Sequence, residues 1–202
     1  MSTWISRAIV ISLLLSGCVL PGGMAAVSQS KSSEQNALPQ FIQLESLVLV
    51  GPSGFCPLPG TQRKLSGADF VAFAPCGGDK GAILAATIGD EGSAAGVTLT
   101  SAVLAPYFET QDGKAALRGA GSKDEISVHE VADYRGAVVL RLTREDAGKA
   151  SDSWRALMQI DGRLVTLSVR PHDGMAIPGR DGHELVTRFV KAMKTANAAG
   201  GA

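Results

Sequence analysis

The sequence predicts an α+β domain: a mostly antiparallel sheet of about six or seven strands, with a central helical segment and a C-terminal helix packed on it. Three observations lead there. Short runs rich in Val, Ile, Leu and Phe recur between Gly- and Pro-containing breaks. Asp161-Gly162 joins two alternating segments, a strong signal for a two-residue hairpin. The last apolar stripe, Val186, Phe189, Val190 and Met193, has helical rather than strand spacing.

The elements follow in order. Ser46–Val50 reads as a strand ended by Gly51-Pro52, Phe70–Ala74 as a second, and Ile83–Ile88 as a third. Thr98 to about Arg118 reads as helical, with Leu99, Val103, Tyr107 and Leu117 as core positions; Pro106 is expected to kink or divide it because it has no N–H to donate. Four strands come next: Ile126–Ala132, Ala137–Thr143, Trp154–Ile160 and Arg163–Arg170. A two-residue turn at Asp161-Gly162 pairs 160 with 163, so 158 faces 165, 156 faces 167 and 154 faces 169. That register puts Trp154, Ala156, Met158, Val165, Leu167 and Val169 on one face, the pattern of a half-buried antiparallel hairpin. A helix from about Asp181 to Asn197 closes the chain.

The chain has 202 residues, 45% of them apolar, and no net charge. A folded segment of about 160 residues is large enough to bury a core without a structural metal. Cleavage before Cys18 would remove Arg7 alone, leaving 18 basic against 19 acidic residues and a charge of −1. The basic residues are scattered, without the concentrated footprint that a nucleic-acid partner requires.

The N-terminus reads as a secretory signal over residues 1–17: Arg7, then the apolar stretch Ala8 to Leu15, too short to span a membrane. Leu15-Ser16-Gly17-Cys18 resembles the lipobox of bacterial lipoproteins. The resemblance implies cleavage before Cys18, its acylation and a chain facing the periplasm; the Ser-, Gln-, Gly- and Ala-rich stretch that follows reads as a flexible tether over 18–40, and the remainder as a single domain over 41–198. With Val19 next, the outer membrane is the favoured destination. An alternative cut after Gly23-Met24-Ala25 would release a soluble periplasmic chain. With Cys18 assigned to the anchor, Cys56 and Cys76 remain as an isolated pair, expected to form a disulfide in an oxidising compartment. Neither belongs to a C-x-x-C unit, so zinc and redox roles lack support.

The order of elements, and the segment Trp154–Asn197 above all, weakly resembles the PsbP-like α/β/α sandwich. Gly51-x-x-Gly54-Phe55-Cys56, with a second cysteine about 20 residues on, is similar to a group of proteobacterial envelope proteins. Both resemblances imply a fold and a compartment; neither carries a functional motif.

Candidate chemistry is sparse. Gly51-Pro52-Ser53-Gly54 after a strand begins like a phosphate loop, but Cys56, Pro57 and Leu58 stand where the motif needs Gly-Lys-Ser/Thr. There is no G-x-S-x-G elbow. His129, His172 and His183 are the available bases or ligands. In the simplest hairpin register His129 shares a face with Val131, Val138 and Leu140, the environment of a core or sheet-edge histidine. His172-Asp173 and His183-Glu184 bracket a Gly/Pro-rich loop at a spacing that fits no standard metal site, and Asp181 and Glu184 suit a helix start. Asp69, Asp79, Asp90 and Glu91 read as surface acids, because nothing fixes two of them at the separation of a glycosidase pair. The expectation is an envelope lipoprotein acting as a non-enzymatic binding or scaffolding module, with no cofactor. Its partners would be the membrane, through the anchor, and an envelope protein, but not nucleic acid. The alternatives are an enzyme built on His129 or on the His172/His183 loop, and a periplasmic small-ligand carrier.

Overall fold

The computed structural model describes residues 40–65, 67–78, 81–119, 121–172 and 176–198. Its frame is an antiparallel sheet of eight strands, with ten strands and three helices in all among the described residues. The α+β expectation holds, with more strands than foreseen. The additional ones are β1 (Phe41–Leu44), β3 (Phe55–Pro57) and β4 (Arg63–Leu65), each only three or four residues long. The other strands are β2 (Leu47–Val50), β5 (Ala68–Pro75), β6 (Ala82–Gly89), β7 (Glu125–Tyr134), β8 (Ala137–Asp146), β9 (Lys149–Ile160) and β10 (Arg163–Pro171).

The sheet order is β3-β5-β6-β10-β9-β8-β7, with β4 also pairing β5. From β6 the chain leaves the middle of the sheet and passes through α1 (Ser101–Glu109) and α2 (Gln111–Arg118) to the far edge. It then returns as the meander β7-β8-β9-β10 until β10 closes on β6. The predicted hairpin register is found: Arg163 pairs Ile160, Val165 pairs Met158, Leu167 pairs Ala156 and Val169 pairs Trp154. Asp161 and Gly162 both have positive φ (48° and 69°), as a type I′ turn requires. The six residues assigned to the inner face are all buried.

Helix α3 (Gly179–Asn197) lies on that face. Val186, Phe189, Val190 and Met193 are fully buried against it, and Phe189 meets Phe73 edge-on at 5.4 Å between centroids. The hairpin β1–β2 forms a separate two-stranded sheet beside α3. Three polar ties hold this hairpin. The Asn197 amide donates to the Val48 carbonyl (2.9 Å) and accepts from the Val48 N–H (2.8 Å), filling the ladder bonds that a further strand would otherwise make. Ser46 donates to Asp161, and Glu45 pairs with the nearly buried Arg163.

Among the described residues, the second face of the sheet is covered over β7 and β8 and the adjoining Leu157 of β9. There α1 and α2 bury Leu104, Phe108 and Leu117 against Ile126, Val138, Leu140 and Leu142. This corrects two expectations. Pro106 does not divide the helical segment; it sits inside α1, and the break falls at Thr110. Thr110 is extended, and its hydroxyl caps α2 by accepting from the Gly113 N–H at 3.0 Å. A side chain at Gly113 would collide with the Tyr107 carbonyl, so the corner requires glycine. Val103 and Tyr107 are exposed, and Leu104 and Phe108, one residue further on, face the sheet instead. At the start of α1, Asp133 from β7 accepts from the Ser101 N–H (2.9 Å) and hydroxyl (2.6 Å), a tertiary contact that replaces a local cap.

Candidate functional site

Cys18 lies outside the described residues. Cys56 and Cys76 form a disulfide with Cα atoms 4.9 Å apart. Cys56 lies in a short strand, and Cys76 directly follows β5, so the bond ties β3 to the end of β5. Cys56 belongs to β3, opposite Ala74, and the Cys76 N–H bonds the Gly54 carbonyl just beyond the last pair. The Gly51-Pro52-Ser53-Gly54 turn packs against Phe55 and Phe73. It borders a cavity of about 160 Å³ shared with Gln40 and Cys76.

His129 is not where the simplest register puts it. A bulge between Val128 and Glu130 leaves it without a partner in the ladder. Instead of sharing a face with Val131, Val138 and Leu140, its Nε2 meets the Thr143 hydroxyl at 2.8 Å. That hydroxyl donates to Asp152 at 2.7 Å, and Arg141 donates to the other Asp152 oxygen at 2.8 Å. The row His129–Thr143–Asp152–Arg141 thus runs across β7, β8 and β9, and it has the residue types of a nucleophilic triad in the wrong order. A triad needs the histidine to take the hydroxyl proton and the carboxylate to bond the imidazole. Here the carboxylate takes the hydroxyl proton, so Nε2 must donate to Thr143 and has no lone pair free for it. The row orders the sheet edge and activates nothing.

Hydrogen bonds from Arg141 and then Thr143 hold the Asp152 carboxyl below the usual carboxylate range. A carboxyl whose folded value is lowered stabilises the fold above its unfolded value, near pH 4, and loses that contribution as pH falls through the folded value. Asp133, held low by its bonds from Ser101, acts in the same direction. Asp152→Asn is therefore expected to be less stable at neutral pH and to lose stability less steeply on acidification below about pH 4. A variant whose denaturation midpoints fall in parallel with the wild type would remove Asp152 from that account.

His172 follows β10 and bonds the Gly81 carbonyl through its N–H, and His183 lies in the first turns of α3; both are exposed. Asp173 and Asp79 fall outside the described residues. Among the described residues no three His, Cys, Asp or Glu side chains come together as a metal site. Asp69 and Asp90 share Lys64, at 3.8 and 3.2 Å. Glu91 is exposed in the loop after β6.

The feature that the sequence reading missed is on the second face of the sheet. Beyond the α1–α2 cover, no helix among the described residues overlies β5, β6 and β10 there. Ile83, Ala85, Thr87, Leu164, Thr166 and Ser168 are half-buried, whereas their alternating neighbours on the α3 face are fully buried. Arg155 stands opposite Ser168, and Arg170 lies two residues further along β10 on the same side. Arg144, also on this side, pairs with Asp124 and donates to the Arg118 carbonyl at 3.3 Å. Burial, reinforced by the charges of Arg170 and Arg144, pushes the Arg155 guanidinium down to about 10. Burial and Arg144 also lower Arg170, opposed by Asp124. The signal was present in the hairpin register: the alternation that sends Trp154 and Val169 inward sends Arg155 and Arg170 outward together.

No protein-family model and no curated protein matches the chain.

Proposed function

We propose that the chain is a lipid-anchored envelope protein whose domain is a non-enzymatic binding module, with the open part of the second sheet face as its binding surface. The observation that carries the binding reading is the half-covered sheet with Arg155 and Arg170 set side by side on its free part. A purely structural face would be expected to bury apolar residues or spread mixed charge, not to set a half-buried arginine beside a second, exposed one without an ion-pair partner for either among the described residues. The anchor rests on Leu15-Ser16-Gly17-Cys18, and the oxidising compartment on the Cys56–Cys76 pair. Among the described residues no helix is long and apolar enough to cross a membrane, so attachment would fall to the acyl chains at Cys18.

The intact mass of the chain isolated from an envelope fraction tests the anchor. The expected result is a chain starting at Cys18 and carrying acyl mass. An unmodified chain starting near Ala26 would overturn the anchor and leave a soluble periplasmic protein. The same preparation separates binding from catalysis. Ala replacement of His129, His172 and His183 together is expected to preserve both thermal stability and complementation of a deletion strain, while Arg170→Glu preserves stability but fails to complement. The reverse pattern would make the chain an enzyme.

A further inference from the structure

Arg155, Arg170 and Arg144 share one side of the sheet, and among the described residues the carboxylate paired with any of the three is Asp124, on Arg144. Three guanidinium charges less one carboxylate leave a formal local charge of +2. Among the described residues neither Arg155 nor Arg170 has an ion-pair partner. Diagonal neighbours in a ladder lie about 7–8 Å apart, within reach of two guanidinium forks converging on one group. Both groups stay protonated at neutral pH despite the burial that lowers them. The pair is therefore a cation site in which Arg155 is half-buried and Arg170 exposed, and an entering anion is held more strongly by the recessed Arg155 than by exposed lysines.

The surroundings of the pair narrow the class of anion. Thr87 faces Thr166 across β6 and β10, and Ser168 is next along the same side. These three hydroxyls lie on half-buried residues of the free side, where they can meet a ligand that carries hydroxyls of its own. A phosphate monoester, with roughly −1.5 to −2 charge at neutral pH, matches the local charge better than a single carboxylate does. Ile83 and Ala85 share this side with the hydroxyls, opposite Arg170 and Ser168, so a lipid headgroup is the competing occupant that the test must separate.

We propose that this platform binds the phosphate monoester of a hydroxyl-bearing small molecule: Arg155 and Arg170 take the phosphoryl oxygens, Arg144 adds to the positive field, and Thr87, Thr166 and Ser168 take ligand hydroxyls. The inference rests on the binding-module reading and gives that surface a ligand class.

The test is calorimetric titration of the full chain, purified from the envelope in neutral detergent. The probes are inorganic phosphate, glucose 6-phosphate, glucose and monomeric dihexanoyl phosphatidylglycerol. Glucose 6-phosphate is expected to bind more tightly than phosphate, and glucose not to bind. Arg155→Gln and the more exposed Arg170→Gln are each expected to weaken the sugar phosphate by about tenfold or more, one charge-assisted bond's worth. Thr166→Ala should remove the advantage of the sugar phosphate over phosphate, and Arg188→Gln on α3 should change nothing. If Arg155→Gln fails to fold, Arg170→Gln alone decides. Sugar phosphate binding no better than glucose, or with equal affinity to Arg170→Gln, would overturn the proposal. Binding of the short-chain lipid alone would also overturn it, while leaving the binding module standing. The mass of the isolated chain reports the anchor independently of either result.

Discussion

Trp154→Ala is expected to destabilise the domain by about 3–5 kcal/mol, as removal of a fully buried large aromatic does when the cavity cannot collapse. Trp154 is 1% exposed and sits on β9, where helix, hairpin and sheet meet. Val169 lies opposite it on β10 and Arg141 opposite it on β8. Above it, Gly182 brings α3 so close that a side chain there would overlap the indole ring. Neither neighbouring strand can move in to fill the space without breaking its own ladder, so the void should persist. For a domain whose total stability is of order 5–15 kcal/mol, the loss would be a large share. Two variants separate packing from chemistry. Gly182→Ala forces helix and ring apart and should cost about 1–3 kcal/mol by overpacking. Trp154→Phe should cost less than Trp154→Ala, because the indole N–H is buried without a partner among the described residues and its removal carries no lost bond. Denaturant unfolding with unchanged slope measures all three. A Trp154→Ala loss below about 1 kcal/mol would mean that α3 does not seat on the sheet through this ring.

The parts of this fold that sequence could show are those whose determinants are local. Asp161-Gly162 specifies its own turn through two positive φ values, and the alternating residues on either side inherit their faces from it. The α3 stripe is likewise written at helical spacing. The parts that escaped depend on contacts from elsewhere. β3 and β4 are three residues each and exist as strands because β5 offers both of them an edge. The break at Thr110 is set by the fit of Gly113 under the Tyr107 carbonyl, and Pro106, with an obvious local argument in its favour, is tolerated on the exposed side of α1. The bulge at His129 shows how one extra residue defeats a register count, since everything beyond it changes face. The candidate surface sits between these cases. Arg155 and Arg170 are fifteen residues apart in the chain. The register alone brings them together, whereas the lack of a covering helix among the described residues depends on α1 and α2 turning toward β7.

Removing the disulfide, by Cys56→Ser with Cys76→Ser, is expected to cost roughly 3 kcal/mol, the loop-closure value for a sequence separation of 20. The location argues that the cost is felt unevenly. Strand β3 is at the end of the sheet, pairs only with β5, and is three residues long, too short to hold its edge by ladder bonds alone. Cys56 is buried there, so serine would also place a hydroxyl in an apolar position. The double variant should therefore lose amide-exchange protection first over β3 and the neighbouring part of β5, while the β9–β10 hairpin beneath α3 stays protected up to global unfolding. That difference separates two accounts of the bond. If protection falls equally everywhere, the disulfide acts only through the unfolded chain. If β3 alone loses protection and the global midpoint is unchanged, its role is to pin one edge. The expected outcome combines a lower midpoint with early opening at β3, because the bond both shortens the unfolded loop and closes a strand with few other contacts. Two freely alkylatable thiols in unreduced protein from the envelope would show that the bond does not form in the cell and would remove the stabilising role altogether.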